Sequence, residues 1–178
     1  MKIRKKQFIQ DLYHEIEDED EAEEYLDNSL PLIGYIVMYF NGLEQSLDRI
    51  ICEIFSTRTA NTGLIVLHKM NYSAKVDLFK RFCDDLHYGC EIEIPGYEEL
   101  IRNLKESGRM RNLVIHADWE STDKEGYTYV NFKISKNGME QEYIQFSEQS
   151  LSKISTLIIQ TEGDLYKYWD ERNEKLYR

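Results

Sequence analysis

Apolar positions recur every three or four residues along most of the chain and switch to every second residue only after Trp119. Asn28-Ser29-Leu30-Pro31 reads as a cap with proline in the first turn. From there Ile33, Ile36, Phe40, Leu43, Leu47, Ile50 and Ile54 repeat at helical spacing to about Phe55. An earlier helical stretch is predicted over about residues 3–14, resuming from Glu21 to Asp27. After a looser region with a short helix at Leu64 to Met70, Ser73 caps a third main helix with Val76, Phe79, Phe82, Cys83 and Leu86 as its buried stripe. Pro95 opens a fourth, carrying Leu100 and Leu104 towards Trp119. A last helix is expected from about Glu148 to Leu176, burying Leu151, Ile154, Ile158, Leu165 and Trp169.

Between the fourth and last helices, Val130, Phe132 and Ile134 alternate with Tyr129, Asn131 and Lys133, and Lys136-Asn137-Gly138 supplies a turn. This predicts a β-hairpin over about residues 127–146. A two-residue Asn-Gly turn would set Phe132 opposite Tyr143. A three-residue turn with Gly138 left-handed pairs Val130 with Ile144 and Thr128 with Phe146, keeping apolar residues on one face, and is the preferred register. The fold class is therefore mainly α: a bundle of four to five main helices with a β-hairpin before the last one.

A length of 178 residues fits one domain able to bury roughly 70% of the surface of its unfolded chain. Cys52, Cys83 and Cys90 are odd in number and lack C-x-x-C spacing, which indicates neither a disulfide framework nor a zinc site and suggests a reducing cytoplasm. No apolar run approaches the ~20 residues of a membrane span. The net charge of −11 excludes an indiscriminate nucleic-acid binder, so any RNA contact must be focal. Much of that charge lies in Glu15 to Glu24, read as a solvated helix face. The 13 tyrosines include Tyr35 and Tyr39 one turn apart, and Tyr127 and Tyr129 on one strand. They suit packing better than base stacking. No phosphate-binding glycine loop, nucleophile elbow or metal-spaced histidine cluster occurs, so no cofactor and no metal are expected.

The chemistry concentrates in Gly108-Arg109-Met110-Arg111-Asn112-Leu113-Val114-Ile115-His116, late in the fourth helix. Arginine offers a permanently charged fork that matches a phosphate, and histidine titrates near neutral pH. Spacing alone is weak, because with nine arginines and four histidines a second match, Arg81 to His87, also occurs. There Phe82 follows the arginine, whereas Asn112 follows Arg111. Leu104, Gly108, Arg111 and Ile115 share a helical stripe, which draws Arg111 into a groove between helices, where a guanidinium needs an anion. Glu44, on the apolar face of the second helix, is the predicted partner. Asn112 and Arg109 share the face of His116 and are supporting candidates; a purely structural Glu44–Arg111 pair is the alternative.

The pattern Arg-Asn-x-x-x-His late in a helix of an all-helical domain resembles the HEPN superfamily. The likeness covers about residues 30–120 in outline. It implies a metal-independent endoribonuclease acting as a homodimer, with the arginine-histidine motifs of both subunits meeting in one groove. Arg111 would neutralise the scissile phosphate of RNA, Asn112 would position the motif, and His116 would be general acid or base. It also implies a toxin or phage-defence role with a possible antitoxin or nucleotidyltransferase partner. Other HEPN domains are noncatalytic and bind a nucleotide or a protein, and a purely structural helical dimer is a third reading.

Overall fold

The computed structural model describes residues 1–7, 19–56, 58–136 and 138–177. Its elements run β1 (Ile3–Gln7), α1 (Glu19–Phe55), α2 (Asn61–Leu67), α3 (Tyr72–Gly89), α4 (Tyr97–Ile115), β2 (Asp118–Thr122), β3 (Tyr127–Ser135), β4 (Gly138–Gln145) and α5 (Glu148–Tyr177). The fold is mainly helical, with a small antiparallel sheet ordered β1-β4-β3-β2. The chain divides into two compact units, Met1–Val37 with Met110–Ser155, and Met38–Arg109 with Thr156–Arg178.

In the first unit the predicted hairpin is present but belongs to a four-stranded sheet. Residues 3–7, expected as helix, form an edge strand instead, pairing Ile3 with Ile144 and Gln7 with Glu140. The reason is long-range: Lys5 meets Glu140 at 3.8 Å, while Arg4 reaches Asp123 at 3.3 Å and Glu125 at 3.0 Å and lies 3.8 Å over the Tyr127 ring. Local periodicity cannot reveal partners more than a hundred residues away, and such contacts override propensity. The remainder of that predicted helix, residues 8–14, lies outside the described residues, as do residues 15–18 of the acidic segment. Asp20, Glu23 and Glu24 from the same segment are exposed on α1, as a solvated face requires.

The hairpin register differs from both expectations. Thr128 pairs with Ile144 and Tyr129 with Tyr143; the register then shifts by one before Asn131 pairs with Glu142 and Ser135 with Gly138. The shift, a bulge at Val130, changes the parity of β3; at the far end of the hairpin Ile134 is 75% exposed, while Tyr143 on β4 is fully buried. Gly138 does have positive φ, +114°, but as a strand residue, and Asn137 of the predicted turn lies outside the described residues. The strand β2 had no periodic signature and was not expected. Its turn into β3 is held by Asp123, whose Oδ1 accepts from the backbone N–H groups of Glu125 and Tyr127 at 3.0 and 2.9 Å.

The helix expected to begin at Asn28 begins at Glu19 and passes through Pro31. Proline removes one intrahelical bond, but the preceding turns are anchored: Ala22 and Ser29 are buried, and the Ser29 hydroxyl donates to the Tyr25 carbonyl at 2.9 Å.

The second unit buries most of the stripes that the spacing predicted: Phe40, Leu43, Leu47, Ile50, Val76, Phe79, Cys83, Leu100, Leu104, Ile158, Leu165 and Trp169 are in its core, while Ile54, Phe82 and Leu86 are only half-buried. Ser73 does not cap α3; Asn71 does, its side chain accepting from the Ala74 N–H at 2.9 Å, two residues earlier than expected. Both residue types cap well, and the sequence alone does not rank Asn71 below Ser73. Tyr72 then donates to the Leu104 carbonyl at 3.0 Å and stacks on Phe40. Its ring lies so near α4 that a Cβ on Gly108 would stand 2.8 Å away.

Gly126 carries the sharpest steric demand in the sheet. Its φ is +80°, and a Cβ there would approach the Tyr25 hydroxyl to 2.2 Å. Gly126→Ala should therefore cost about 2 kcal/mol or more, combining left-handed strain with overpacking. An unchanged urea midpoint would show that the turn rearranges freely.

Candidate active site

The motif closes α4. His116 N–H donates to the Asn112 carbonyl at 3.0 Å as the last helical bond, and the Trp119 indole N–H takes the Val114 carbonyl at 2.8 Å, satisfying an acceptor that the helix end would otherwise leave open. Trp119 is in turn packed against Phe146, ring centroids 5.2 Å apart, so the sheet side of the first unit fixes where the helix stops. Arg111 is half-buried and donates through Nη1 to Asn112 Oδ1 at 3.0 Å. Asn112 and His116 are exposed and one turn apart, on one face. The structure thus joins Arg111 to Asn112 directly and presents His116 to solvent on the next turn. A fork, an amide that orients it and an accessible imidazole can together hold a phosphate and move a proton.

Glu44 does not carry the role expected of it. Its carboxylate binds Lys75 at 2.8 Å within the second unit, and Asp48, one turn on, binds the same ammonium at 2.8 Å. The reading of Glu44 as a carboxylate in need of a cation on an apolar face holds; the cation was misassigned, because Lys75 sits in a stripe that looked apolar. Burial opposes the charge on Lys75, but its hydrogen bonds to Asp48 and Glu44 outweigh this and raise its pKa. Arg109, the other supporting candidate, is exposed and bonded twice to Glu106, 2.7 Å at each contact. It lies on a surface groove of about 690 Å³ with Arg102 and Lys105, whose own partners are Glu99 and Asp77.

His87, set aside as the accidental match, occupies a more enclosed polar cluster than its motif suggested. Its Nε2 lies 3.0 Å from the Tyr168 hydroxyl and its ring packs on Tyr97, 4.5 Å between centroids. Tyr97 donates to Asp84 at 2.7 Å, and Lys80 binds the same carboxylate at 2.6 Å. Burial, partly offset by Asp84 and Glu98, lowers the pKa of His87; Lys80 and Tyr97 lower that of Asp84. Cys83, buried beside Tyr168, has its thiol pushed up to about 12 and is no nucleophile. Nothing in the sequence links residues 83–97 with Tyr168, so only the tertiary fold reveals this network. No group of metal-binding side chains occurs among the described residues, and none of their helices is long and apolar enough to cross a membrane.

Comparison with protein-family models, curated proteins and solved structures finds no match to the chain.

Two outcomes follow from these charge arrangements. Lys75→Met leaves two adjacent carboxylates without their cation and should cost about 3 kcal/mol, the lower end for a stranded buried charge, since Glu44 and Asp48 remain 29% and 28% exposed. Glu44→Gln leaves a one-to-one Lys75–Asp48 pair and should change stability by less than about 1 kcal/mol. Equal losses in urea melts would contradict the shared-ammonium account. For His87, a folded pKa below the unfolded value of about 6.5 means that the unfolded state binds the extra proton first. The contribution of His87 is complete above about pH 6.5 and falls as the pH drops towards its lower folded value. His87→Gln should flatten the stability profile below about pH 6.5, and an identical slope in both proteins would rule out that coupling.

Proposed function

We propose that the chain is a metal-independent endoribonuclease of the HEPN type, a toxin or phage-defence effector acting as a twofold homodimer. The observation that carries this reading is the end of α4, where Asn112 holds the Arg111 guanidinium at 3.0 Å and His116 stands exposed one turn beyond Asn112. Arg111 binds the scissile phosphate and offsets charge as it builds on the non-bridging oxygens. The 2′-hydroxyl oxygen forms the new bond to phosphorus, the bond to the 5′-oxygen breaks, and His116 either accepts the 2′ proton or delivers one to the leaving oxygen. One imidazole cannot do both in the same step, and a second copy supplies the other, which is why the site is composite. The products are a 2′,3′-cyclic phosphate and a 5′-hydroxyl.

A second reading is a noncatalytic module that binds a nucleotide or a protein partner, such as an antitoxin or nucleotidyltransferase. Arg102, Lys105 and Arg109 favour it: each is matched to a carboxylate, so this stretch of α4 offers no excess positive charge along which RNA would track.

Cleavage of single-stranded RNA should persist in EDTA and leave cyclic phosphate ends. His116→Ala should lower the rate by ~10²–10⁴-fold with the fold and dimer intact, Arg111→Ala should abolish cleavage, and His87→Ala should leave the rate unchanged. Light scattering that finds only monomer at micromolar concentration with RNA present, or a His116→Ala protein as active as the parent, would replace the ribonuclease with the binding module.

A further inference from the structure

Three stripe residues of the second unit stay half-buried, and all three line one pocket of about 310 Å³: Ile54 of α1, and Phe82 and Leu86 of α3. That volume is at the lower end of the range of small-molecule sites. Apolar side chains left open to water on the wall of a pocket gain free energy from an apolar occupant. One side of the wall is fixed by Phe55, which meets Phe82 edge to face with ring centroids 5.3 Å apart. Gly89 and Cys90, both exposed, lie on the pocket at the end of α3, and a Cβ on Gly89 would meet nothing within 4 Å, so the pocket is open there.

From α5, Arg172 joins this apolar lining. Its side chain is half-buried, and among the described residues its guanidinium has no ion pair, whereas Arg4, Arg102 and Arg109 each sit on a carboxylate. The group is held in place by neutral partners. It lies 4.2 Å over the Trp169 ring, the Trp169 indole N–H donates to Glu53 at 2.7 Å, and Arg172 Nη1 donates to Asn173 Oδ1 at 2.8 Å. That leaves the edge formed by Nε and Nη2, the pair of donors that grips a carboxylate with two parallel bonds. Cys83 and Tyr168, near enough to feel the positive charge, supply no counter-ion, because burial keeps both protonated, the thiol pushed up to about 12. A guanidinium partly withdrawn from water cannot shed its proton and needs an anion. That anion should carry a single charge, since only one fork is on offer and Asp85, exposed on the same pocket, repels a second.

We propose that this pocket binds a small apolar monocarboxylate, its carboxylate on the open edge of Arg172 and its hydrocarbon body against Ile54, Phe82 and Leu86. This site does not rest on the ribonuclease reading, since all its residues belong to the second unit and the motif of residues 111–116 belongs to the first.

Cys90 supplies the readout. It is exposed while Cys52 and Cys83 are buried, so a chromogenic aromatic disulfide labels the native full chain at Cys90, on the pocket itself. Phenylacetate should slow that labelling as it fills the pocket. Two probes with the same ring should need about tenfold higher concentration or more for equal protection, a loss on the scale of one charged hydrogen bond. They are 2-phenylethanol, which lacks the charge, and phenyl phosphate, a dianion above about pH 7. Arg172→Gln, each rate taken against the same variant without ligand, should weaken protection by phenylacetate about tenfold or more, and Arg111→Ala should leave it unchanged. The assignment is overturned if phenylacetate gives no protection at millimolar concentration, if either comparison probe protects as well as phenylacetate, or if Arg172→Gln is protected as well as the parent. None of these results alters whether the protein cleaves RNA, which the His116 variant reads separately.

Discussion

Lys75 shares one ammonium between two carboxylates, and the second unit is arranged around that shortage. Glu44 and Asp48 are successive turns of α1, and the 2.8 Å contacts from α3 to both leave no room for a slip along the helix. One residue of translation, 1.5 Å, would carry the ammonium away from at least one oxygen and strand its charge. Three residues earlier on α3, Tyr72 uses the register so defined. It packs on Phe40, donates to the Leu104 carbonyl and covers Gly108, which ties α4 to the same pair of helices. Alanine at position 108 would favour the helix intrinsically by about 1 kcal/mol, yet the tyrosine ring occupies the space that its Cβ needs.

The helical stripes were legible because burial on one side writes a repeat directly into the chain. Leu151, Ile154, Ile158, Leu165 and Trp169 on α5 are inward as their spacing requires. What was illegible depends on distant partners. The β1 strand is specified by Asp123, Glu125 and Glu140, none of which is near it in sequence, and the bulge at Val130 breaks the parity from which a register is counted. The motif itself was readable as a cluster at the end of a helix. The Glu44 partner was not, since a lysine inside an apolar stripe looks like a surface residue until its two acceptors are seen. The tyrosine count, suggestive of packing, resolves in part into specific duties: Tyr72 and Tyr97 are hydrogen-bond donors, and Tyr127 is a platform for Arg4.

Charge is distributed in a way that limits how the protein can recognise anything negative. Along α4 of the second unit, arginine and lysine are matched one for one with acids, cancelling their long-range field. Recognition must then depend on a few groups acting at contact distance, where hydrogen-bond geometry discriminates more sharply than diffuse attraction. An acidic protein of this kind gains little affinity for polyanions in general and keeps selectivity for those that fit.

The ladder between β1 and β4 carries a kinetic implication. Ile3 and Ile144 are 141 positions apart (144 − 3), and joining them means closing a loop that contains most of the chain. Helices assemble from neighbours within a turn, whereas this edge gains its contacts only after the rest of that loop has been ordered. Until then the outer groups of β4 remain an unpaired template, open to another strand of similar pattern. Pairing of this edge strand therefore carries the largest loop-closure cost in the sheet, and before it forms the outer edge of β4 is the part of the sheet most open to pairing between chains.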